Sequence, residues 1–173
     1  MVCDYDPSWP GEYEQESARV RAALGSLALT IEHVGSTSVP GLVAKPIVDL
    51  LVGVRSLVEA RHAVPTLLAP LGYRHMVEYE AWLPDEMLLR RGMPGPWTHH
   101  VHVVEPSTAR WDELVLIRDY LRRHPAAAAR YGVLKKALAL ESGDDIERFR
   151  EGKRAFLQAA LANARSEQAR ELT

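Results

Sequence analysis

The chain has 173 residues, 47% of them hydrophobic and 25% charged, with a formal net charge of −2. That is enough apolar material for one soluble domain with a real core. It is too little positive charge for an extended nucleic-acid binder, whose affinity comes largely from counterion release by many basic groups. The single Cys3 allows no intrachain disulfide, no run is long enough to cross a bilayer, and Asp4 and Asp6 stand where a secretory leader is basic. The expectation is a cytoplasmic protein with no membrane partner.

Taken in order, Tyr5 to Pro10 reads as a turn into a helix capped by Ser8, with Tyr13, Val20 and Leu24 near one face and Trp9 as a core anchor. Leu27, Leu29 and Ile31 alternate with Ala28, Thr30 and Glu32, which predicts a strand ending near Val34. Gly35-Ser36-Thr37-Ser38 breaks it. Small residues there let the backbone turn sharply and turn N–H groups and hydroxyls toward an anion such as a phosphate, although the same residues also make plain turns. Val39-Pro40-Gly41 and Ala44-Lys45-Pro46 stiffen the loop, and Lys45 adds a cation. Ile47 to Val52 is a near-continuous apolar run that suits a strand buried on both faces, interrupted by Asp49. A carboxylate there is costly unless it is paired or holds a cation.

Ser56 to Glu59 predicts a capping box for a helix running toward Ala69-Pro70, with Pro65 kinking or interrupting it. Arg74 to Tyr79 and Met87 to Arg91 read as strands, with loop over Ala81 to Asp85. Arg90 and Arg91 offer guanidinium groups to a phosphate or, as an alternative, charge an edge strand against aggregation. After the rigid loop Gly92 to Pro96, His99 to Val104 alternates so that His100 and His102 share one face. Two imidazoles two residues apart on a strand can ligate one metal, or form a hydrogen-bonded pair.

Ser107 is the expected cap of a helix carrying Trp111, Leu114, Val115 and Arg118. Arg118 is a candidate for a substrate anion, the alternative being an ion pair with a helical neighbour. A helix over Ala126 to Leu140 follows, then a break at Ser142-Gly143. A capping box of Asp144 and Glu147 opens a last helix through Phe149, Lys153, Phe156, Leu157 and Leu161, and a polar tail is expected to fray from about residue 164.

The block HVGSTSVPGLVAKPIVDLLVGV resembles the signature of the GrpB family of bacterial proteins, placed in the nucleotidyltransferase superfamily. The likeness extends from about Tyr5 to Leu161. It takes in the opening Tyr-x-Pro-x-Trp-Pro pattern, which brings Tyr5 or Asp6 into question as site residues, the His-His-x-His-Val segment, Arg-Asp-Tyr-Leu at Arg118, and Lys135. It implies an α+β nucleotidyltransferase-like fold, a small mixed β-sheet with packed helices and a helical C-terminal part. The superfamily pattern of Gly-Ser, a spacer, then Asp-apolar-acid is met by Gly35, Ser36 and Asp49, but Leu51 stands where the second magnesium-holding acid is expected. His100 and His102 look like the replacement for a third acid on a later strand.

The resulting expectation is a protein that binds a nucleotide or other phosphorylated small molecule through Gly35, Ser36, Thr37, Arg90 and Arg118. It transfers a nucleotidyl group to a small acceptor, with Asp49, His100, His102 and Lys45 as the catalytic set and Asp49, His100 and His102 on a divalent metal. One carboxylate with two imidazoles favours zinc or manganese over magnesium. The alternatives are a nucleotide-binding accessory module that has lost the chemistry, in keeping with family members fused to dephospho-coenzyme A kinase, and a metal-dependent hydrolase or ligase using the same residues. Oligomeric state is left open by the sequence.

Overall fold

A computed structural model describes residues 2–143 and 145–171. In chain order the elements are α1 (Trp9–Leu24), β1 (Thr30–Val34), β2 (Val48–Gly53), α2 (Leu57–Leu68), β3 (Tyr73–His75), β4 (Met87–Arg91), β5 (His99–Val104), α3 (Ala109–Arg123), α4 (Pro125–Ser142) and α5 (Ile146–Glu171). The strands form a five-stranded sheet in the order β1-β2-β5-β4-β3. β2 and β5 are parallel and the other neighbours antiparallel, so the sheet is mixed and the fold is α+β. No helix among the described residues is long and apolar enough to cross a membrane.

Strand alternation gives the sheet two different faces. Ile31, Val48, Leu50, Val52, Leu89, Val101 and Val103 project to one side and form a core with Val20 and Leu24 of α1 and with Leu57, Ala60, Val64 and Leu68 of α2. Each such side chain, fully buried, stabilises the fold by about 1.5–3 kcal/mol before entropy is counted. Glu16 of α1 is buried on this side and satisfied by Arg91 Nη1 at 2.7 Å and the Tyr73 hydroxyl at 3.0 Å. On the opposite face, Val34, Leu51 and Val104 pack under Trp111, Leu114 and Val115 of α3. The three C-terminal helices build their own core around Tyr120, Leu121, Tyr131, Ala160 and Ala164, and Val39 and Leu42 from the loop after β1 insert into it. That loop therefore lies between the sheet and the helical part.

Several local expectations differ from the structure. Gly25–Leu27 is a 3₁₀ turn and Leu29 is 49% exposed, so β1 starts only at Thr30. The strand expected over Arg74 to Tyr79 is Tyr73–His75 alone, because Val77–Tyr79 coils into a 3₁₀ turn once Met76 has donated to the Leu88 carbonyl at 2.9 Å. Pro65 does not interrupt α2. It stands in the last turn, and the fully buried Val64 and Leu68 hold the helix in line. Ser8 occupies the cap position of α1 but its hydroxyl goes to Glu12 at 2.8 Å, and Pro10 removes one of the orphan donors. Thr108 rather than Ser107 caps α3. Asp144 lies outside the described residues, and the neighbouring Asp145 carboxylate accepts from Arg148 N at 3.0 Å. The tail expected to fray from residue 164 is helical through Glu171, tied back by Arg123 to Glu171 at 3.3 Å and His124 to Glu167 at 2.8 Å.

Candidate functional site

β2 and β5 lie side by side with Asp49 opposite His100 and Leu51 opposite His102. All four side chains therefore share the face that α3 partly covers. Leu51 is fully buried in the apolar contact with α3, which explains why an acid is absent from that position. Past the edge of α3 the face is polar. Asp49 Oδ1 lies 3.0 Å from His100 Nδ1 and 3.3 Å from His102 Nε2. One potential ligand atom from each of Asp49, His100 and His102 falls within 4.8 Å of the others.

Glu86, just before β4, completes the cluster. Its Oε1 is 2.5 Å from His102 Nδ1, while Oε2 accepts from Arg110 Nε at 2.6 Å. Both nitrogens of His102 thus face carboxylates. Burial opposes its charge, but Glu86 and Asp49 outweigh that and raise its pKa to about 9. Burial also raises both acids, yet the hydrogen bonds from His100 and His102 hold Asp49 well below the usual carboxylate range, and His102 and Arg110 do the same for Glu86. His100 Nε2 is buried and meets no hydrogen-bond partner among the described residues.

The loop after β1 closes this cluster from the other side, because Val34 is paired with Asp49. Gly35 has φ 71° and ψ −172°, a region essentially reserved for glycine. A Cβ on it would stand 2.8 Å from Asp49 Cγ, so the close approach made possible by the missing side chain is to the carboxylate itself. The Ser36 hydroxyl accepts from Lys135 Nζ at 2.9 Å, and Lys135 also donates to the Val43 carbonyl. Thr37 is buried, donates to the Ile47 carbonyl at 3.2 Å and lies 3.1 Å from His33 Nε2, contacts that brace the loop. Burial lowers the His33 pKa to about 4 and keeps that ring neutral.

The cations separate. Lys45 Nζ lies 4.5 Å from the centroid of the Phe149 ring. Arg90 is paired with His100 and so shares the site face, its guanidinium 4.7 Å from the Tyr79 ring centroid and 5.9 Å from that of Trp97. Arg91 points to the other face, to Glu16 and His99. Arg118 is buried and engaged by Glu32 at 2.8 Å, Asp119 at 2.7 Å and the His33 carbonyl at 3.1 Å. These contacts tie α3 to β1. Tyr5 packs edge-on against Trp9 and lines a separate cavity of about 720 Å³ with His33 and Arg122.

Sequence reasoning missed Glu86 and Arg110. An acid immediately before the apolar run Met87–Leu89 was a signal for Glu86. Its partner could be named only once Leu88 was known to pair with His102.

The family model described as GrpB protein matches residues 1–163. A UPF0157 protein of Pseudomonas aeruginosa is 40% identical over 171 residues, a match that covers 94% of this chain and 66% of that protein. The UPF0157 protein YqkA of Bacillus subtilis is 35% identical over 161 residues, 93% of this chain and 46% of its relative, so this chain spans about half the length of that protein. The crystal structure of conserved protein GrpB from Enterococcus faecalis superposes with a TM-score of 0.88 at 36% identity, covering 97% of this chain and 99% of that one. A dephospho-CoA kinase of Mycolicibacterium paratuberculosis is 29% identical over 181 residues, spanning 92% of this chain and 44% of the kinase. The chain belongs to the GrpB family, within the nucleotidyltransferase-like superfamily.

Proposed function

We propose that this protein binds a nucleotide or another phosphorylated small molecule against the Gly35–Ser36 loop and transfers a nucleotidyl group to a small acceptor, with a divalent metal held by Asp49, His100 and His102. The observation that carries the reading is the convergence of one carboxylate and two imidazoles, from adjacent parallel strands, beneath that loop. The donor set fits a metal: one potential ligand atom from each of the three residues lies within 4.8 Å of the others, and Glu86 stands behind His102 as the carboxylate that orients a ligating imidazole. Two nitrogens and one carboxylate favour zinc or manganese over magnesium.

In the transfer, the acceptor oxygen forms a bond to the α-phosphorus as the bond to the bridging oxygen breaks. Pyrophosphate leaves with the electron pair, and the acceptor proton passes to water. A bound metal would supply Lewis-acid polarisation of phosphoryl oxygens. The chain's own groups orient and neutralise: Glu86 and Asp49 fix His102, Gly35 lets the loop close on Asp49, and Lys45 offsets negative charge on the leaving phosphates.

A panel of nucleoside triphosphates assayed with zinc, manganese or magnesium tests the proposal by pyrophosphate release, which should require metal and be lost in Asp49→Asn. Incorporation of labelled water oxygen into the nucleotide would instead indicate a hydrolase. Nucleotide binding without turnover favours the second reading, an accessory nucleotide-binding module. That reading draws on Leu51 at the second-acid position and on the match to part of a dephospho-CoA kinase.

A further inference from the structure

The loop that carries Gly35 runs on through Ser38 to Gly41, and there it walls the cavity of about 720 Å³. None of Asp49, Glu86, His100 and His102 lines that cavity. Val39, Leu121, Pro125 and Ala128 give it apolar walls, and three of them, Val39, Leu121 and Ala128, are buried. Its polar groups are few. His33 is occupied: its ring stacks on Tyr13 with centroids 4.6 Å apart, its Nε2 lies 3.1 Å from Thr37 Oγ1, and burial keeps it neutral. Ser38 Oγ donates to the Gly35 carbonyl at 2.6 Å. That leaves Arg122 and the Tyr5 hydroxyl, which makes no hydrogen bond among the described residues. Arg122 follows Arg118 by one turn of α3, and the two are served unequally. Arg118 takes Glu32 at 2.8 Å and Asp119 at 2.7 Å. Arg122 makes no ion pair among the described residues; its Nε donates to the Ser38 carbonyl at 2.9 Å, and its two Nη groups have no protein partner among them. Burial and then the neighbouring Arg118 charge lower its pKa, against a weaker pull from Asp119 and Glu32.

A guanidinium with both Nη groups free presents a planar pair of donors that matches the two oxygens of one carboxylate. A phosphate dianion or a longer polyanion is served less well, because Arg122 is the one charged side chain among the described residues that line the cavity. An apolar cavity of this size with a few placed polar groups is the usual form of a small-molecule site. We infer that the cavity binds a small carboxylic acid with an apolar body, the carboxylate paired with Arg122 and the body packed against Val39, Leu121 and Ala128. The site is separate from the proposed nucleotidyl transfer and does not depend on it. Ser38 belongs to both regions, since its carbonyl holds Arg122 and its hydroxyl holds Gly35 next to Asp49.

Calorimetric titration of the full chain at neutral pH in 0.15 M salt, without added metal, tests it. The probes are 4-phenylbutanoate, octanoate and cyclohexylacetate, each with its primary amide, which keeps the body without the charge, and acetate, which keeps the charge without the body. At least one of the three acids should bind with a dissociation constant below about 1 mM. It should exceed both its amide and acetate by at least about tenfold, the effect of one charge-assisted hydrogen bond. Arg122→Met should bring that acid and its amide to equal affinity. Ala129→Phe, which fills the cavity from α4, should weaken both at least about tenfold. Both substituted positions are exposed, so the fold is expected to survive, and circular dichroism checks it. Should Arg122→Met not fold, the acid, amide and acetate comparison in wild type and Ala129→Phe still decides. Failure of all three acids to bind below about 1 mM overturns the inference. So does acetate as tight as the acids, which marks a bare anion contact, or an acid preference that survives Arg122→Met.

Discussion

Replacing Gly35 by alanine perturbs the contact between the loop and the carboxylate with a single methyl group. Two terms follow from the geometry. A residue with a Cβ at φ 71° and ψ −172° is strained by about 1–3 kcal/mol. The methyl carbon would also meet Asp49 Cγ at 2.8 Å and Asp49 Cβ at 3.1 Å, so the carboxylate must move, giving up at least one of its bonds to His100 and His102, about 1.5–3 kcal/mol for a charge-assisted bond. The expected loss is about 4 kcal/mol, which a domain of ordinary stability survives. Urea unfolding with comparison of m-values measures it, and a zinc or manganese titration on the folded variant should show weakened binding. Asp49→Ala in the Gly35→Ala background separates the terms, because it relieves the collision and leaves the backbone strain. A coupling of about 2 kcal/mol in the double-mutant cycle is expected. A Gly35→Ala protein within about 0.5 kcal/mol of wild type, with unchanged metal affinity, would refute the reasoning.

Leu51→Asp, which writes in the superfamily's second acid, should unfold the protein instead of creating a magnesium site. It removes a fully buried leucine, about 2–5 kcal/mol, and sets an unpaired carboxylate against Trp111, Leu114 and Val115. Circular dichroism decides, and a folded variant with gained magnesium affinity would contradict it. Glu86→Gln should lower metal affinity about 10–100-fold while costing about 3–5 kcal/mol in stability, since His102 and Arg110 both lose a buried charge partner; unchanged calorimetric affinity would rule out the orienting role. Lys135 bears on pH dependence. Its folded pKa is about 7, lowered by burial and Lys153 against the pull of Asp49, so between pH 7 and about 10 the unfolded chain binds more protons and stability rises with pH by about 1.4 kcal/mol per unit. Below pH 7 the penalty is fully present. His102, raised to about 9, works oppositely and loses its contribution as pH rises through that value. The readout is therefore the difference between wild type and a folded Lys135→Met, which keeps His102, in unfolding midpoints at pH 6.5, 8 and 9.5. An identical pH trend in the two proteins would exclude the lysine.

The fold class and much of the candidate site were legible in the sequence, because those features are local. The apolar run around Asp49, the glycine at a strand's end, and the alternation that puts His100 and His102 on one face are consequences of backbone geometry over a few residues. Packing determined where other elements began and ended. α2 runs through Pro65 because Val64 and Leu68 are held by the sheet, and the C-terminal helix continues past residue 164 because Arg123 and His124 reach its last turns. Only the tertiary structure decided that Asp49 meets two histidines 51 and 53 residues away, through a parallel register no local pattern encodes. It likewise decided that Glu86 stands behind His102, that Leu51 is covered by α3, that Arg118 is engaged with Glu32 and Asp119, and that Lys135 of α4 reaches Ser36 in the loop. A side chain's direction follows from its own strand or helix, but its partner depends on which distant element the hydrophobic core brings alongside.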